Sequence, residues 1–522
     1  MRPNTLVSPP WTDTKQQRTG LLLLGLACLS WVGLMIPLWN GGPLVLDEHV
    51  SYWIIDSDLP SSTYRRSLDQ AATPPLASWV QAASVGLFGK SEWALRLPSA
   101  MCTLLSLGVV YLVGMQLRQP ILGGLAALIL IWNPELLDDV RIARCYGQVA
   151  LLSAVVVWLT VWWQRDLLSW RRVAAWSLGA AALIWTHYIS GLLVVMAAGW
   201  LAVECYQAEN NRRTVPYWMA GMVLLGVLCA GLVPSVLRLQ AWGPVLNFRA
   251  VETPIWEIVG PFWWAGLPVG LLLAKLIKSK RFTTAPPVSK LYFITFAVCS
   301  IVPLLLLALL AHGDLSSLAN PRYRVTFIPA AALLASALLC RVGSLFSAGA
   351  GTAALIAVMW FLSDARPWQA GRLGSAPDAA WRELTLSLKQ NAQPGSPLLV
   401  GSNLVEAHLI PAYFVDPLFM EYVAARVSKF YLPEHHPRIG LPTLWVEDAA
   451  MDEFYREQMK SKAAAQAGGS WIAAATDTDL GIKALEKIRQ LAVEAGLKVT
   501  VAGEWDGATL LHVSPPSTES PE

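Results

Sequence analysis

Two adjacent carboxylates, Asp47 and Glu48, stand in Leu46-Asp47-Glu48-His49, just beyond the first long apolar run of the chain. Neighbouring carboxylates raise one another's proton affinity unless a cation or a basic group offsets the repulsion. Such a pair can take a proton from a hydroxyl, hold a divalent cation, or stay solvated at a membrane surface. A second group, Asn133-Pro134-Glu135, Asp138-Asp139, Arg141, Arg144, Cys145 and Tyr146, follows the third apolar run. Acids and arginines crowded at a membrane edge are costly unless they are paired or used. A third group is Thr186-His187-Tyr188, where two apolar segments meet without a charged loop. A lone histidine at an apolar helix end is more often structural than functional. The fourth is Asn320-Pro321-Arg322-Tyr323-Arg324. Arginine suits phosphate because its planar fork donates two parallel charge-assisted bonds. Anchoring at the bilayer interface is the alternative for Arg322, and likewise for Arg96.

The elements that must position these residues are apolar. Of 522 residues, 55% are hydrophobic and only 14% charged, about half the charge of a typical soluble protein. The 25 tryptophans suit a membrane protein, because indoles favour the interface. A net charge of +3 with no basic cluster argues against a nucleic-acid partner. Six of the seven cysteines sit inside apolar runs and none follows Cys340, so neither a disulfide framework nor metal-ligand spacing is visible.

Runs of spanning length recur about eleven times, near 21–39, 97–117, 119–133, 145–163, 173–187, 189–206, 216–237, 255–277, 291–311, 325–341 and 343–363. Residues 1–20 form a short basic tail, and the first run is too long for a cleaved signal segment. With that tail in the cytoplasm, the inner loops hold 15 Lys and Arg against Asp13, Asp166 and Glu209. The positive-inside rule then predicts a cytoplasmic N-terminus in a cell (inner) membrane and a periplasmic C-terminal region. Residues 40–96 form one long outer loop, and long loops tend to be functional. The transmembrane domain is expected over 21–363.

From 364 to 513 the pattern becomes that of a small soluble α/β domain. Leu398–Val400, Leu444–Val446, Trp471–Ala474 and Val499–Val501 read as strands. Asp448 reads as the cap of a helix running to Ala467 and stopped by Gly468. Leu485, Ile488, Leu491 and Ala495 form a helical stripe closed by Gly496, and Asp506-Gly507 is a hairpin signal. The final residues 514–522, SPPSTESPE, read as disordered. The fold class expected is therefore an α-helical polytopic membrane protein with a C-terminal soluble α/β domain.

Read in order, the motifs resemble those of a known family. These are Asp47-Glu48, Pro74-Pro75-Leu76, Phe88-Gly89-Lys90-Ser91-Glu92-Trp93-Ala94-Leu95-Arg96-Leu97-Pro98-Ser99, Ala143-Arg144-Cys145-Tyr146, Thr186-His187-Tyr188 and Arg322-Tyr323. Over residues 20–365 the chain resembles the family C membrane glycosyltransferases. The resemblance is to the bacterial branch of the protein O-mannosyltransferase and aminoarabinose lipid A transferase superfamily, with Phe88 to Ser99 its most specific part. It implies a sugar donor on a polyprenyl phosphate, and an active site between the outer loops and the membrane. It also implies Asp47 as general base. Two positions depart from the pattern. Thr73 stands where aminoarabinose-transferring relatives carry Lys, and Arg141-Ile142-Ala143-Arg144 replaces the usual Gln-Glu-Ala-Arg.

The residue types match that chemistry. An acceptor hydroxyl loses its proton as it attacks the anomeric carbon, which calls for one carboxylate as base. The leaving group is already a phosphate, so no paired general acid is required, unlike a glycoside hydrolase. Charge growing on that phosphate calls for fixed cations, the role expected of Arg144 and Arg322. Glu48, Asp138 and Asp139 are the candidates for holding a divalent cation or the acceptor, and Tyr146, His187, Tyr323 and Arg96 for support. Expected partners are the lipid-linked donor, a lipid, glycan or protein acceptor, and membrane lipids. A transporter or lipid flippase is the alternative, but such proteins place ionisable groups at mid-membrane on broken helices.

Overall fold

The computed structural model describes residues 14–39, 42–59, 61–242, 254–260, 266–277, 289–312, 315–342, 344–362, 380–401, 406–425, 429–433, 436–444, 446–464, 469–476 and 478–516, with Leu404 and Val427. Among the described residues, eight helices are long and apolar enough to cross a membrane. They are Lys15–Met35, Glu92–Gln116, Tyr146–Trp163, Tyr188–Gln207, Asn211–Arg238, Lys290–His312, Pro321–Cys340 and Leu345–Leu362. The pair Pro120–Ile131 and Pro134–Val140, bent by 62°, makes up to nine. The chain is thus a multi-pass membrane protein, with eight or nine spans among the described residues where eleven were expected over the whole chain.

Local chemistry explains why three of the expected runs are not full-length helices among the described residues. Pro134 cannot continue the preceding helix, and the Asn133 side chain restarts the chain by accepting the Leu136 N–H at 2.9 Å. The expected fifth span is the 17-residue helix Trp170–Thr186. The expected eighth, 255–277, is not one helix. Ile255–Val259 stops at Gly260, whose φ of +79° leaves the right-handed region. Helix then resumes at Leu267–Leu276.

The chain divides into two compact units. The first comprises Met1–Asn40, Leu97–Val233 and Val251–Gly374. Its core is a continuous apolar cluster that includes Trp31, Leu107, Ile129, Val157, Trp176 and Leu333. The exposed faces of its helices are also apolar, with Leu22 74% and Leu29 70% accessible, as contact with lipid requires.

The second unit comprises Gly41–Arg96, Pro234–Ala250 and Ser375–Glu522. Residues Gly41–Arg96, most of the long loop expected at 40–96, therefore belong with the C-terminal region. Its five-stranded sheet has the order β2-β1-β3-β5-β4, with β1 Leu398–Gly401, β2 Arg438–Leu441, β3 Ser470–Ala475, β4 Lys498–Trp505 and β5 Ala508–Ser514. β1 pairs in parallel with β2 and β3, while β5 is antiparallel to β3 and β4. Of the strand expected at Leu444–Val446, the described residues Leu444 and Val446 lie outside the sheet. The paired segment is Arg-Ile-Gly-Leu at 438–441, whose Arg and Gly conceal the apolar pattern.

Asp448 caps the helix Ala449–Ala464, accepting the N–H groups of Ala450 and Met451 at 2.9 and 3.2 Å. Its expected end at Gly468 lies outside the described residues, as do residues 517–522; Ser514, expected to begin a disordered tail, instead ends β5, paired with Lys498. In the helix Asp479–Glu494, Leu485, Ile488 and Leu491 are buried as expected, but Ala492 rather than Ala495 completes the buried face. The segment Gly41–Arg96 contains helices Leu46–Ile55 and Leu76–Phe88, with the short α-helix Thr63–Arg65 and the π-helix Arg66–Gln70 between them. Its aromatic residues pack within the unit, Tyr52 against Phe430 and Trp53 against Tyr422 at ring separations of 5.0 and 5.4 Å.

Candidate functional site

In the second unit, Asp47 and Glu48 occupy successive positions in the first turn of the helix Leu46–Ile55. Successive helical residues point about 100° apart, so the two carboxylates meet different surroundings. Glu48 is fully buried, while Asp47 is only half-buried. Arg96 lies 48 residues on and is itself buried. Its Nε and Nη2 donate to the two Glu48 carboxylate oxygens at 2.6 Å each. Its remaining donors reach the carbonyls of Gly42 and Pro43 at 3.1 and 3.0 Å. Glu48 Oε2 also accepts the Val45 N–H at 3.0 Å, closing the helix N-terminus. Both oxygens of Glu48 are thus engaged on Arg96, and the pair's like-charge repulsion is offset by the guanidinium. Asp47 is the more accessible carboxylate of the pair. Thr73, the first departure from the family pattern, is tied to Ser67 through a 3.3 Å hydroxyl contact and a 2.8 Å backbone bond.

In the first unit, the bend after Asn133 leads to a tight turn at residues 141–145, where the Arg144 N–H reaches the Ile142 carbonyl at 2.8 Å. Buried Ser99 brackets this turn. Its hydroxyl donates to the Val140 carbonyl at 2.8 Å and accepts the Gly147 N–H at 3.3 Å. A Cβ at Gly147 would lie 2.1 Å from the Ser99 carbonyl oxygen, so only glycine fits. Arg141, the second departure, donates to the Asp138 carbonyl at 3.0 Å and forms a short ion pair with its carboxylate. Asp138 is thereby engaged within its own turn.

The helix Trp170–Thr186 ends at His187, which has extended backbone, before the short 3-10 turn Tyr188–Ser190. The imidazole stands between two phenols, 6.0 Å from the Tyr146 ring and 5.6 Å from the Tyr323 ring. The Arg322 guanidinium lies over Tyr323 at 5.4 Å. Arg322 and Arg144 both act electrostatically on His187. His187 Nδ1 is buried and makes no hydrogen bond among the described residues. The first unit therefore brings Arg144, Tyr146, His187, Arg322 and Tyr323 together, a setting with two cations and several neutral hydrogen-bonding groups.

Arg324 stands in the fourth group of the sequence, where only Arg322 and Tyr323 were given roles. It is buried, pairs with Glu135 at 2.8 Å and donates to the carbonyls of Glu257 and Ile258 at 2.6 and 2.8 Å. A Cβ on Gly260 would come within 2.9 Å of both the Arg324 Nη1 and Glu135 Oε1 atoms. Arg322 and Arg324 share the 3-10 helix Pro321–Phe327, where three residues per turn point them in different directions. The nearby Glu135 was the available signal. Among the described residues, no group of three or more His, Cys, Asp or Glu gathers as a metal site. Glu48, one of the three residues expected to hold a cation or the acceptor, has both oxygens on Arg96.

A family model described as dolichyl-phosphate-mannose-protein mannosyltransferase matches residues 72–232, a stretch that includes Arg96, Arg144, Tyr146 and His187. Among solved structures, the chain is similar to ArnT from Cupriavidus metallidurans in the apo state. The TM-score is 0.56 and the identity 14%, covering 96% of this chain and 99% of that one. The structure of the same protein bound to undecaprenyl phosphate gives a TM-score of 0.54 at 14% identity, with the same coverage. The archaeal oligosaccharyltransferase AglB from Archaeoglobus fulgidus, in complex with an inhibitory peptide and a dolichol-phosphate, gives 0.51 at 11% identity. That match covers 98% of this chain and 75% of that one. No curated protein matches the chain by sequence.

Proposed function

We propose that this chain, whose fold is that of the family C membrane glycosyltransferases, transfers a sugar from a polyprenyl-phosphate-linked donor to an acceptor hydroxyl. The observation that carries this reading is His187 set between Tyr146 and Tyr323, with Arg322 over the Tyr323 ring and Arg144 two residues before Tyr146. Two guanidiniums close to buried aromatic surface suit a phosphate that carries a lipid tail. Solved structures of similar fold bound to undecaprenyl phosphate and dolichol-phosphate support it.

In this reading the acceptor oxygen bonds to the anomeric carbon as the bond from that carbon to the phosphate oxygen breaks. Asp47 takes the hydroxyl proton, and the electron pair leaves with the polyprenyl phosphate. Attack opposite the leaving group inverts the sugar centre. Arg144 and Arg322 stabilise the charge that grows on the phosphate, an effect worth most where water is scarce. Glu48 holds Arg96 and so shapes the turn that presents Asp47. The acceptor is an envelope lipid, glycan or protein, and transfer takes place on the outer face of the inner membrane. The excess of basic residues on the inner loops supports that orientation. A periplasm-active reporter fused after Glu522 should be active, and an inactive one would reverse the assigned side.

The test is the purified chain with a polyprenyl-phosphate sugar labelled in the sugar. Release of label to an acceptor, with free polyprenyl phosphate as the second product, is the expected result. Donor that crosses a reconstituted bilayer intact would identify a flippase instead.

A further inference from the structure

The half-exposed Asp47 is only as well placed as the strap, residues 42–45, that leads into its helix. That strap has no regular structure of its own, so side chains elsewhere in the unit must hold it. Arg96 takes the Gly42 and Pro43 carbonyls, but the Leu44 N–H goes further afield. It donates to the Tyr431 hydroxyl at 2.8 Å, across 387 residues of sequence. Tyr431 donates in turn to Glu92 Oε1 at 3.1 Å. The same oxygen receives a short ion pair from Arg382 on the helix Trp381–Asn391, whose guanidinium stands 5.5 Å from the Tyr431 ring.

Glu92 and Arg96 are four residues apart on one helix, so they share a face. That single helical turn grips the strap twice, through Tyr431 at Leu44 and directly at Gly42, Pro43 and Glu48. The Tyr431 ring also packs edge-on against His49, at 5.5 Å, within the helix that carries Asp47. Burial raises the phenol above its ordinary range, so the hydroxyl stays protonated and keeps its donor role towards Glu92.

We propose that Tyr431, held by Glu92 and Arg382, is a positioning residue through which the C-terminal region aligns the helix bearing Asp47. The proposal rests on the reading of Asp47 as general base. It gives the C-terminal region a part in the reaction without contact between that region and the reacting atoms.

Tyr431→Phe keeps the ring and removes the hydroxyl, leaving the Leu44 N–H without its acceptor. The experiment compares full-length wild-type and variant protein in detergent, by amide exchange over residues 42–49 and by turnover of labelled polyprenyl-phosphate sugar. Losing one hydrogen bond should speed exchange there by about two- to tenfold. Turnover should fall by a similar factor while donor affinity stays unchanged. In an Asp47→Asn background, Tyr431→Phe should cost no further turnover, because the base it positions is gone. Arg382→Gln should act in the same direction with smaller effect, and serves if Tyr431→Phe does not fold. Unchanged exchange over 42–49 would overturn the proposal, as would faster exchange with normal turnover. An equal loss in the Asp47→Asn background would also overturn it, since Tyr431 would then act through another group. Normal turnover by Asp47→Asn alone would instead remove the base assignment, and the positioning role with it, while leaving the measured contact intact.

Discussion

Arg96 and Glu48 meet fork to fork, with two 2.6 Å bonds between the guanidinium and the carboxylate and both side chains buried. The contact joins the start of the segment Gly41–Arg96 to its end. Removing one member of a buried ion pair leaves the other charge uncompensated, at a cost of about 3–5 kcal/mol. Glu48→Gln should therefore show its loss mainly as instability of the purified protein, read as a lowered melting midpoint. Arg96→Lys should be destabilised as well, because an ammonium cannot reach both oxygens and both carbonyls. A Glu48→Gln protein of wild-type stability that loses only acceptor affinity would return Glu48 to substrate binding.

Asp47→Asn should behave differently. The substitution keeps the size of a half-exposed side chain and removes its ability to take a proton. General-base catalysis supplies about 10²–10⁴-fold, so turnover should fall by that factor with stability and donor binding retained. Near-normal turnover would exclude Asp47 as the base.

Arg144→Ala and Arg322→Ala should weaken donor binding or turnover in inserted, folded protein. A charge-assisted contact to phosphate is worth about 1.5–3 kcal/mol, roughly ten- to a hundredfold. Lysine at either position should restore only part of the loss, since it cannot bind in two-pronged fashion. Activity per folded molecule near wild type would leave the arginine an interface anchor.

Ser99→Ala removes both hydrogen bonds that bracket residues 141–145. Each is worth about 0.5–1.5 kcal/mol, and the effect should appear in donor affinity through Arg144. Gly147→Ala should be far more damaging, because the added methyl has no space beside the Ser99 carbonyl. Normal donor affinity in Ser99→Ala would show that the turn holds Arg144 without it.

Much of this protein was written in local pattern. Apolar runs marked most spans, because every backbone polar group within lipid must be satisfied inside its own helix. Asp448 and Asp506-Gly507 marked a helix start and a hairpin, since caps and tight turns depend on a residue or two. The clusters around Arg144, His187 and Arg322 were legible as costly polar residues at apolar helix ends.

Other features were decided only by contacts far apart in the chain. Which of two adjacent carboxylates turns inward depends on helix phase and on Arg96, 48 residues away. Arg322 and Arg324 look alike in sequence, yet only Arg324 meets Glu135, because a 3-10 turn sends them apart. β2 lacks an apolar run and exists because β1 offers it a parallel partner. The segment Gly41–Arg96 was read with the membrane helices, but it groups with the C-terminal region through contacts such as Leu44 with Tyr431, 387 residues away. Periodicity reports which face of an element is apolar; only the folded chain supplies the partner that the face or the buried charge meets.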